Sequence, residues 1–269
     1  MKRMGKLLLI LALAGVLLAA AGRLREAKRY ITYLGESLPL QSGVARNPFS
    51  EQDFTAANGR VSYLGGERRA MAVVDVSLWQ GEIDWQAVAA DGVEGAMLRV
   101  GCRGYGSETG VLVADERFHE NLRGAKAAGL QVGAYFFSQA TSEEEAREEA
   151  HFALSLLDGA ALELPLAFDW ETVGSETART AHVTGEELTA CAVAFCDEVA
   201  DAGYQPMVYF NQDTAYRMYD LAALGEIPFW LAEYDAYPSF AYDFALWQYT
   251  SSGTVKGIAT AVDLNLWLR

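Results

Sequence analysis

The sequence has little of the residues that build cross-linked or metal-bound scaffolds. Among its 269 residues there are only three cysteines and three histidines. Three cysteines are too few for a disulfide framework, and we expect all of them to be thiols. The histidines, at 119, 151 and 182, stand apart without the spacing of a zinc site. We therefore expect a fold held together by its own core, with no metal.

Basic residues are scarce as well. The chain has 21 Lys and Arg against 36 Asp and Glu, which gives a net charge of -15. The excess lies in one part: residues 1–70 carry 11 basic and 5 acidic side chains, and residues 71–269 carry 10 and 31. An acidic body repels phosphate groups, so nucleic acid is excluded as a partner.

The N-terminus carries an export pattern. Basic residues at positions 2, 3 and 6 precede an uncharged, Leu- and Ala-rich run over residues 7–22. Three alanines at 19–21 suit cleavage of a signal peptide, whereas the 16-residue length and the basic residues that follow suit a retained membrane anchor. Both alternatives predict an exported chain, secreted or held by a single N-terminal membrane helix, and we expect a monomer.

The chain divides into three parts. We assign residues 1–22 to the signal peptide or anchor, residues 23–70 to a linker or stalk, and residues 71–269 to the acidic body. The middle part shows no sustained helical or strand period, apart from one plausible short helix over residues 25–34.

The body alternates short apolar runs with longer amphipathic stretches. Eight runs have the length and composition of buried strands, at residues 72–76, 95–100, 132–137, 164–168, 206–210, 229–232, 244–249 and 261–264. Helical patterns separate the early ones, at residues 85–91, 118–125, 142–157 and 186–202. About five βα units followed by three strands predict an α/β fold, a modified TIM-type barrel.

Four carboxylates end apolar runs: Asp75, Asp169, Glu171 and Asp263. Asp169 and Glu171 stand at i and i+2, so one strand would place both side chains on the same face, about 6 to 7 Å apart along the backbone. Carboxyl groups crowded in a cleft raise each other's pKa, so that one can stay protonated beside an ionised partner. Glycosidic cleavage uses such a pair. Each acid alone is equally explained as a helix cap or a ligand of backbone amides.

Eight segments closely resemble glycoside hydrolase family 25, the Chalaropsis-type lysozymes or N-acetylmuramidases. The resemblance runs in order over about residues 72–267, and the ordered set is more specific than any one piece. The segments are residues 74–85 (VDVSLWQGEIDW), 98–101 (LRVG), 129–135 (GLQVGAY), 169–171 (DWE), 203–206 (GYQP), 230–234 (WLAEY), 247–249 (WQY) and 262–265 (VDLN).

The resemblance implies a barrel of five βα units and three further strands, and hydrolysis of the β-1,4 bond from N-acetylmuramic acid to N-acetylglucosamine in peptidoglycan glycan strands. It implies Glu171 as general acid. Asp169 would act either as nucleophile or by orienting the substrate's 2-acetamido group for attack. Asp75 and Asp263 would complete an acidic floor that positions substrate and tunes Glu171. No metal or organic cofactor is implied.

Aromatic side chains near strand ends are candidates for stacking against sugar rings. We predict Tyr135, Tyr209 and Trp247 as groove residues, although large rings at strand ends also simply fill a barrel mouth. The remaining predicted substrate contacts are Tyr105, Trp230, Tyr234 and Gln248. One departure from the family pattern is Phe136, where members often carry histidine, which puts substrate contacts near that position in doubt.

A second function class fits the same motifs. A wall-binding module could keep the barrel and lose turnover. Retention of all four acids weighs against it, because a pure binder has no need of a protonated acid.

Overall fold

The computed structural model describes residues 29–66, 68–105 and 109–268 of the chain. The predicted signal peptide or anchor over residues 1–22 lies outside this range. Within the described residues, no helix has both the length and the apolar composition needed to cross a membrane. The chain forms two compact units, one ending at Gly43 and the other beginning at Val44.

The described part of the first unit is a β-hairpin. Strand β1 (Tyr30–Tyr33) pairs antiparallel with β2 (Glu36–Pro39). Leu34 and Gly35 between them both have positive φ, at 50° and 81°, as a two-residue hairpin turn requires. The predicted short helix over residues 25–34 is therefore wrong for positions 30–33, because alternating aromatic and β-branched residues favour a strand there.

The second unit contains eleven strands and five α-helices within its described residues. The strands are β3 (Phe54–Ala57), β4 (Arg60–Tyr63), β5 (Ala70–Val76), β6 (Gly95–Arg103), β7 (Leu112–Ala114), β8 (Gln131–Ser138), β9 (Leu166–Trp170), β10 (Pro206–Asn211), β11 (Phe229–Ala232), β12 (Leu246–Gly253) and β13 (Val262–Leu268). The helices are α1 (Trp85–Ala90), α2 (Phe118–Ala127), α3 (Glu143–Leu157), α4 (Gly185–Asp201) and α5 (Gln212–Arg217).

Eight of these strands close into a barrel. Their order around it is β5, β13, β12, β11, β10, β9, β8, β6, and β6 pairs with β5 to complete the ring. The strands run parallel except β13, which is antiparallel to both of its neighbours. Helices follow β5, β7, β8, β9 and β10, whereas none separates β11, β12 and β13. The predicted α/β barrel of five βα units and three strands is confirmed.

Local sequence sets the helix ends. Ser142 accepts a hydrogen bond from the Glu145 amide at the start of α3, as its spacing predicts. Gly129 and Gly203, with φ of 83° and 87°, follow the last residues of α2 and α4 and stop both helices.

Apolar side chains fill the lower part of the barrel. Alternate residues of the strands point inward, and their buried cluster includes Val73, Met97, Ala167 and Met207. Because this cluster closes the amino-terminal end of the parallel strands, the next inward positions along each strand form the floor of a cavity at the carboxyl end. Asp75 and Asp169, two residues beyond Val73 and Ala167, occupy such positions.

Residues 44–66 pack on the outside of the barrel. Strands β3 and β4 form a hairpin, and the ring of Phe54 lies 5.2 Å from that of Trp247 on β12. Phe49 packs against Phe244 at 5.2 Å, and the Asn47 side chain donates to the Phe240 carbonyl at 2.7 Å. This part of the predicted linker thus covers strands that no connecting helix covers. The domain limits at residues 22 and 70 stay a prediction.

Candidate active site

A cavity of about 430 Å³ opens at the carboxyl ends of the parallel strands. It brings together ten of the eleven side chains predicted from sequence, which come from all eight barrel strands or the loops after them. They are Asp75, Asp169, Glu171, Asp263, Tyr105, Tyr135, Tyr209, Trp230, Tyr234 and Gln248.

Trp247 is the one predicted groove residue that does not line the cavity. Its side chain is fully buried on the outer face of the barrel, against Phe54, and its Nε1 donates to the Glu233 carbonyl at 2.8 Å. Neighbouring positions on a strand face opposite ways, so with Gln248 inside the cavity Trp247 must point out. Trp247 is therefore a packing residue and not a groove residue.

Asp75 and Asp263 lie side by side in the cavity. They are directly opposite each other on the antiparallel strands β5 and β13. Burial raises the pKa of Asp75 well above its ordinary value, and the charge of Asp263 raises it further. Burial also raises the pKa of Asp263, which the hydrogen bond with Asp75 partly offsets. Both carboxyl groups therefore hold their protons to higher pH than free aspartic acid.

Two amide side chains fix the orientation of Asp75. Its Oδ2 accepts from Asn265 Nδ2 at 2.8 Å and from Gln248 Nε2 at 3.0 Å. Gln248 Oε1 in turn accepts from the hydroxyls of Tyr209 and Tyr234, at 3.3 and 3.0 Å. Because the amide oxygen is occupied by two donors, the Gln248 nitrogen is directed at the carboxyl group.

Asp169 and Glu171 extend from β9 into the same cavity. Burial, followed by the charge of Asp263, raises the pKa of Glu171. The pKa of Asp169 is raised well above its usual range by burial and by the charge of Glu171, while Arg99 opposes the shift. Asp169 Oδ1 is buried and has no hydrogen-bond partner among the described residues. The cavity therefore favours protonated carboxyl groups and leaves one oxygen ready for a donor.

Buried side chains that sequence reasoning missed hold the segment bearing Glu171. Gln139, at the end of β8, donates from Nε2 to the Glu171 carbonyl at 2.9 Å and accepts from the Thr180 hydroxyl at 3.2 Å. Trp170 Nε1 donates to the Ala140 carbonyl at 3.2 Å. These bonds join the ends of β8 and β9, so the carboxyl group of Glu171 extends from a fixed main chain.

Arg99 was also missed. It is the one cation that lines the cavity in the described part of the chain. Its Nε donates to Asp115 Oδ2 at 2.8 Å, and the same oxygen accepts from the Leu78 amide at 2.9 Å. The signal that could have identified Arg99 was its position as the single charged residue in the apolar run over residues 95–100.

The aromatic residues divide into two groups. Inside the cavity, the Trp230 ring lies 5.0 Å from Tyr209 and 5.7 Å from Tyr135 in edge-to-face contacts. Tyr105 and Tyr234 are 50% and 58% exposed at the mouth. Phe136, the departure from the family pattern, is buried against helix side chains outside the barrel.

Comparison with known proteins gives a matching family and several relatives that are lysozymes. The sequence profile of Glycosyl hydrolases family 25 matches residues 74–258. An autolytic lysozyme of Clostridium acetobutylicum is 26% identical over 197 residues, which cover 72% of this chain and 55% of that protein. Lysozyme M1 of Streptomyces globisporus is 26% identical over 247 residues, covering 87% of this chain and 76% of that protein.

The fold has solved counterparts. The modular autolysin LytC of Streptococcus pneumoniae, in complex with a synthetic peptidoglycan ligand, superposes with a TM-score of 0.66 at 22% identity, over 88% of this chain and 52% of that one. The chain spans about half the length of LytC and of the clostridial lysozyme. Since the family profile matches more than half of the chain, in a region that includes most of the barrel and the acids Asp75, Asp169 and Glu171, the chain belongs to glycosyl hydrolases family 25.

Proposed function

We propose that the chain is a peptidoglycan hydrolase that cleaves the β-1,4 bond from N-acetylmuramic acid to N-acetylglucosamine. The observation that carries the proposal is the meeting of four carboxyl groups, two buried and two half-buried, with raised pKa values in one sugar-sized cavity of a family 25 barrel. The relatives support it, since they include an autolytic lysozyme and an autolysin with a peptidoglycan ligand.

Glu171 is the proton donor in this proposal. A general acid must hold its proton at working pH, and burial together with the charge of Asp263 raises the pKa of Glu171 in that direction. Its proton would pass to the glycosidic oxygen as the bond to the sugar carbon breaks. The Gln139 contact to the Glu171 main chain keeps the donor aligned with the bond.

Asp169 would stabilise the positive charge that develops on the sugar. Its unpartnered Oδ1 is the feature that bears on its role, because an acetamido N–H is the kind of donor that would satisfy it. Such a bond would lower the pKa of Asp169 as substrate binds and would hold the acetamido carbonyl oxygen near the reacting carbon. Direct attack by Asp169 is the other route, and substrate-assisted enzymes escape the simple rule on carboxyl spacing.

Asp75 and Asp263 would shape the site without donating the transferred proton. Asp75 is held by two amides, and Asp263 supplies the charge that raises the pKa of Glu171. We also propose that the chain is exported, because a wall substrate lies outside the cytoplasm. Residues 1–22 would be either cleaved off as a signal peptide or retained as a membrane anchor. The exported chain would act as a monomer.

The test uses the full chain, purified in detergent, on insoluble peptidoglycan. We expect release of soluble reducing ends by the parent and a loss of at least a hundredfold in Glu171→Gln, which keeps the shape and removes the proton donor. Glu144→Gln, at an exposed position on α3, is the matched control and should behave as the parent. Binding of the wall without release of fragments would instead favour a wall-binding module.

A further inference from the structure

Trp79 differs from every other tryptophan of the chain. All six tryptophans are described, and five are at most 6% exposed, whereas Trp79 is 71% exposed. It also lines the mouth of the cavity. An indole left open to water at the entrance of a binding site offers a large apolar face to a ligand.

The turn that carries Trp79 is held by several hydrogen bonds. Ser77 Oγ accepts from the Trp79 amide at 3.3 Å, and Gln80 Oε1 accepts from the Ser77 amide at 2.8 Å. Next to it, the Leu78 amide donates to the buried Asp115 at 2.9 Å. The main chain under the indole is therefore fixed. A ligand that stacks on the ring would lose little conformational entropy in ordering the turn.

The position of Trp79 places it beside the acids and not among them. It follows Asp75 by four residues, beyond the end of β5, and Tyr105 follows the neighbouring strand β6. Tyr234 follows β11, which β12 and β13 separate from β5. Exposed aromatic rings therefore flank the acidic floor on two sides, as a glycan strand that crosses the cavity would require.

The charge of the protein limits how it can hold a wall polymer. Residues 71–269 carry 31 acidic and 10 basic side chains, so long-range attraction to an anionic wall is excluded. Contact between the apolar face of a neutral sugar ring and an aromatic side chain needs no opposite charge.

We propose that Trp79 is a stacking platform for an N-acetylhexosamine ring of the glycan strand, one that lies outside the pair of sugars whose bond is cleaved. The proposal rests on the function proposed above and adds a binding position to it. Trp79 then sets the preference for long strands over short ones.

A fluorescence experiment tests the platform directly. Because the other five tryptophans are buried, quenching by acrylamide reports mainly on Trp79. The probe is a set of soluble, uncross-linked glycan strands added to Glu171→Gln, which leaves them intact. We expect the strands to reduce the quenching constant at least twofold. Unchanged quenching by strands that sedimentation shows to be bound would overturn the proposal.

Kinetics give a second readout. Trp79→Ala should raise KM for long strands at least tenfold with kcat within twofold, and Trp79→Phe, which restores a ring, should recover most of the loss. Leu64→Ala, at a position 64% exposed away from the cavity, is the control. An unchanged KM in Trp79→Ala would overturn the platform and leave the hydrolase standing. If the parent is inactive but glycan strands still shield Trp79 from acrylamide, the proposed hydrolase function is wrong and the stacking role of Trp79 is supported.

Discussion

Asp263 lies directly opposite Asp75 across the antiparallel strands β13 and β5, and both carboxyl groups line the same cavity as Glu171. The antiparallel direction of β13 is what makes this possible, since it brings the first residues of the last strand to the cavity end of the barrel. Burial raises the pKa of these acids, and the charge of Asp263 raises the pKa of Glu171 further.

Removing that charge should shift the pH dependence of activity. Since the charge of Asp263 raises the pKa of Glu171, Asp263→Asn lowers that pKa, and the acid loses its proton at lower pH. We expect the alkaline limb of the kcat/KM profile to move to lower pH. The exposed substitution Asp201→Asn is the control. An alkaline limb that stays in place or moves to higher pH would contradict the role given to Asp263.

The buried acids should also cost stability at neutral pH. The folded-state pKa of Asp169 is raised above the unfolded value near 4, so the folded chain binds more protons between the two values and its free energy of unfolding falls as pH rises through that window. Asp169→Asn avoids this loss and breaks no hydrogen bond of Oδ1 to the described residues. We expect a higher Tm than the parent at pH 7 and a difference that vanishes toward pH 4, measured by calorimetry. A variant less stable than the parent at pH 7 would contradict the argument.

Gln139 should affect turnover more than binding. Gln139→Leu removes the donor to the Glu171 carbonyl and leaves that partly buried oxygen without this bond, at a cost of about 1 kcal/mol in stability. Because the acid group loses its alignment, we expect kcat to fall about tenfold with KM within twofold. Steady-state kinetics at a temperature well below the Tm of the variant separates the two effects. A change confined to Tm would show that the contact serves stability alone.

The segment before the barrel should be part of its stability. Phe54 is buried against Trp247, so Phe54→Ala should reduce the free energy of unfolding by about 3 kcal/mol. Removal of residues 1–69 should cost more, because it uncovers the aromatic side chains on the outer face of β12. Urea denaturation measures both, with Leu64→Ala as an exposed control. A truncated chain as stable as the parent would show that the segment is a simple linker.

The sequence was most informative where burial sets the pattern. Apolar runs located all eight barrel strands, and acids at their ends led to Asp75, Asp169, Glu171 and Asp263 before any contact was known. The hairpin over residues 54–63 was missed although Asn58-Gly59 at its turn is a strong hairpin signal. Its strands are short and partly exposed, so they leave no sustained period in the sequence.

Other errors came from contacts that depend on the closed barrel. The period of two along β12 puts Trp247 and Gln248 on opposite faces and does not say which face is inside. Gln139 meets Thr180 and Glu171 across 41 and 32 residues of sequence, so no local pattern reveals the contact. Trp79 stands inside a family motif, but only the folded chain shows that its ring is exposed.

The proposal on which the others depend is that this cavity cleaves the β-1,4 bond from N-acetylmuramic acid to N-acetylglucosamine. Its most direct test is mass spectrometry of the products, after the full chain has digested purified peptidoglycan and the new ends have been reduced with borohydride. We expect N-acetylmuramitol at every new end, and no such ends from Glu171→Gln. N-acetylglucosaminitol at the new ends, or digestion that survives Glu171→Gln, would contradict it.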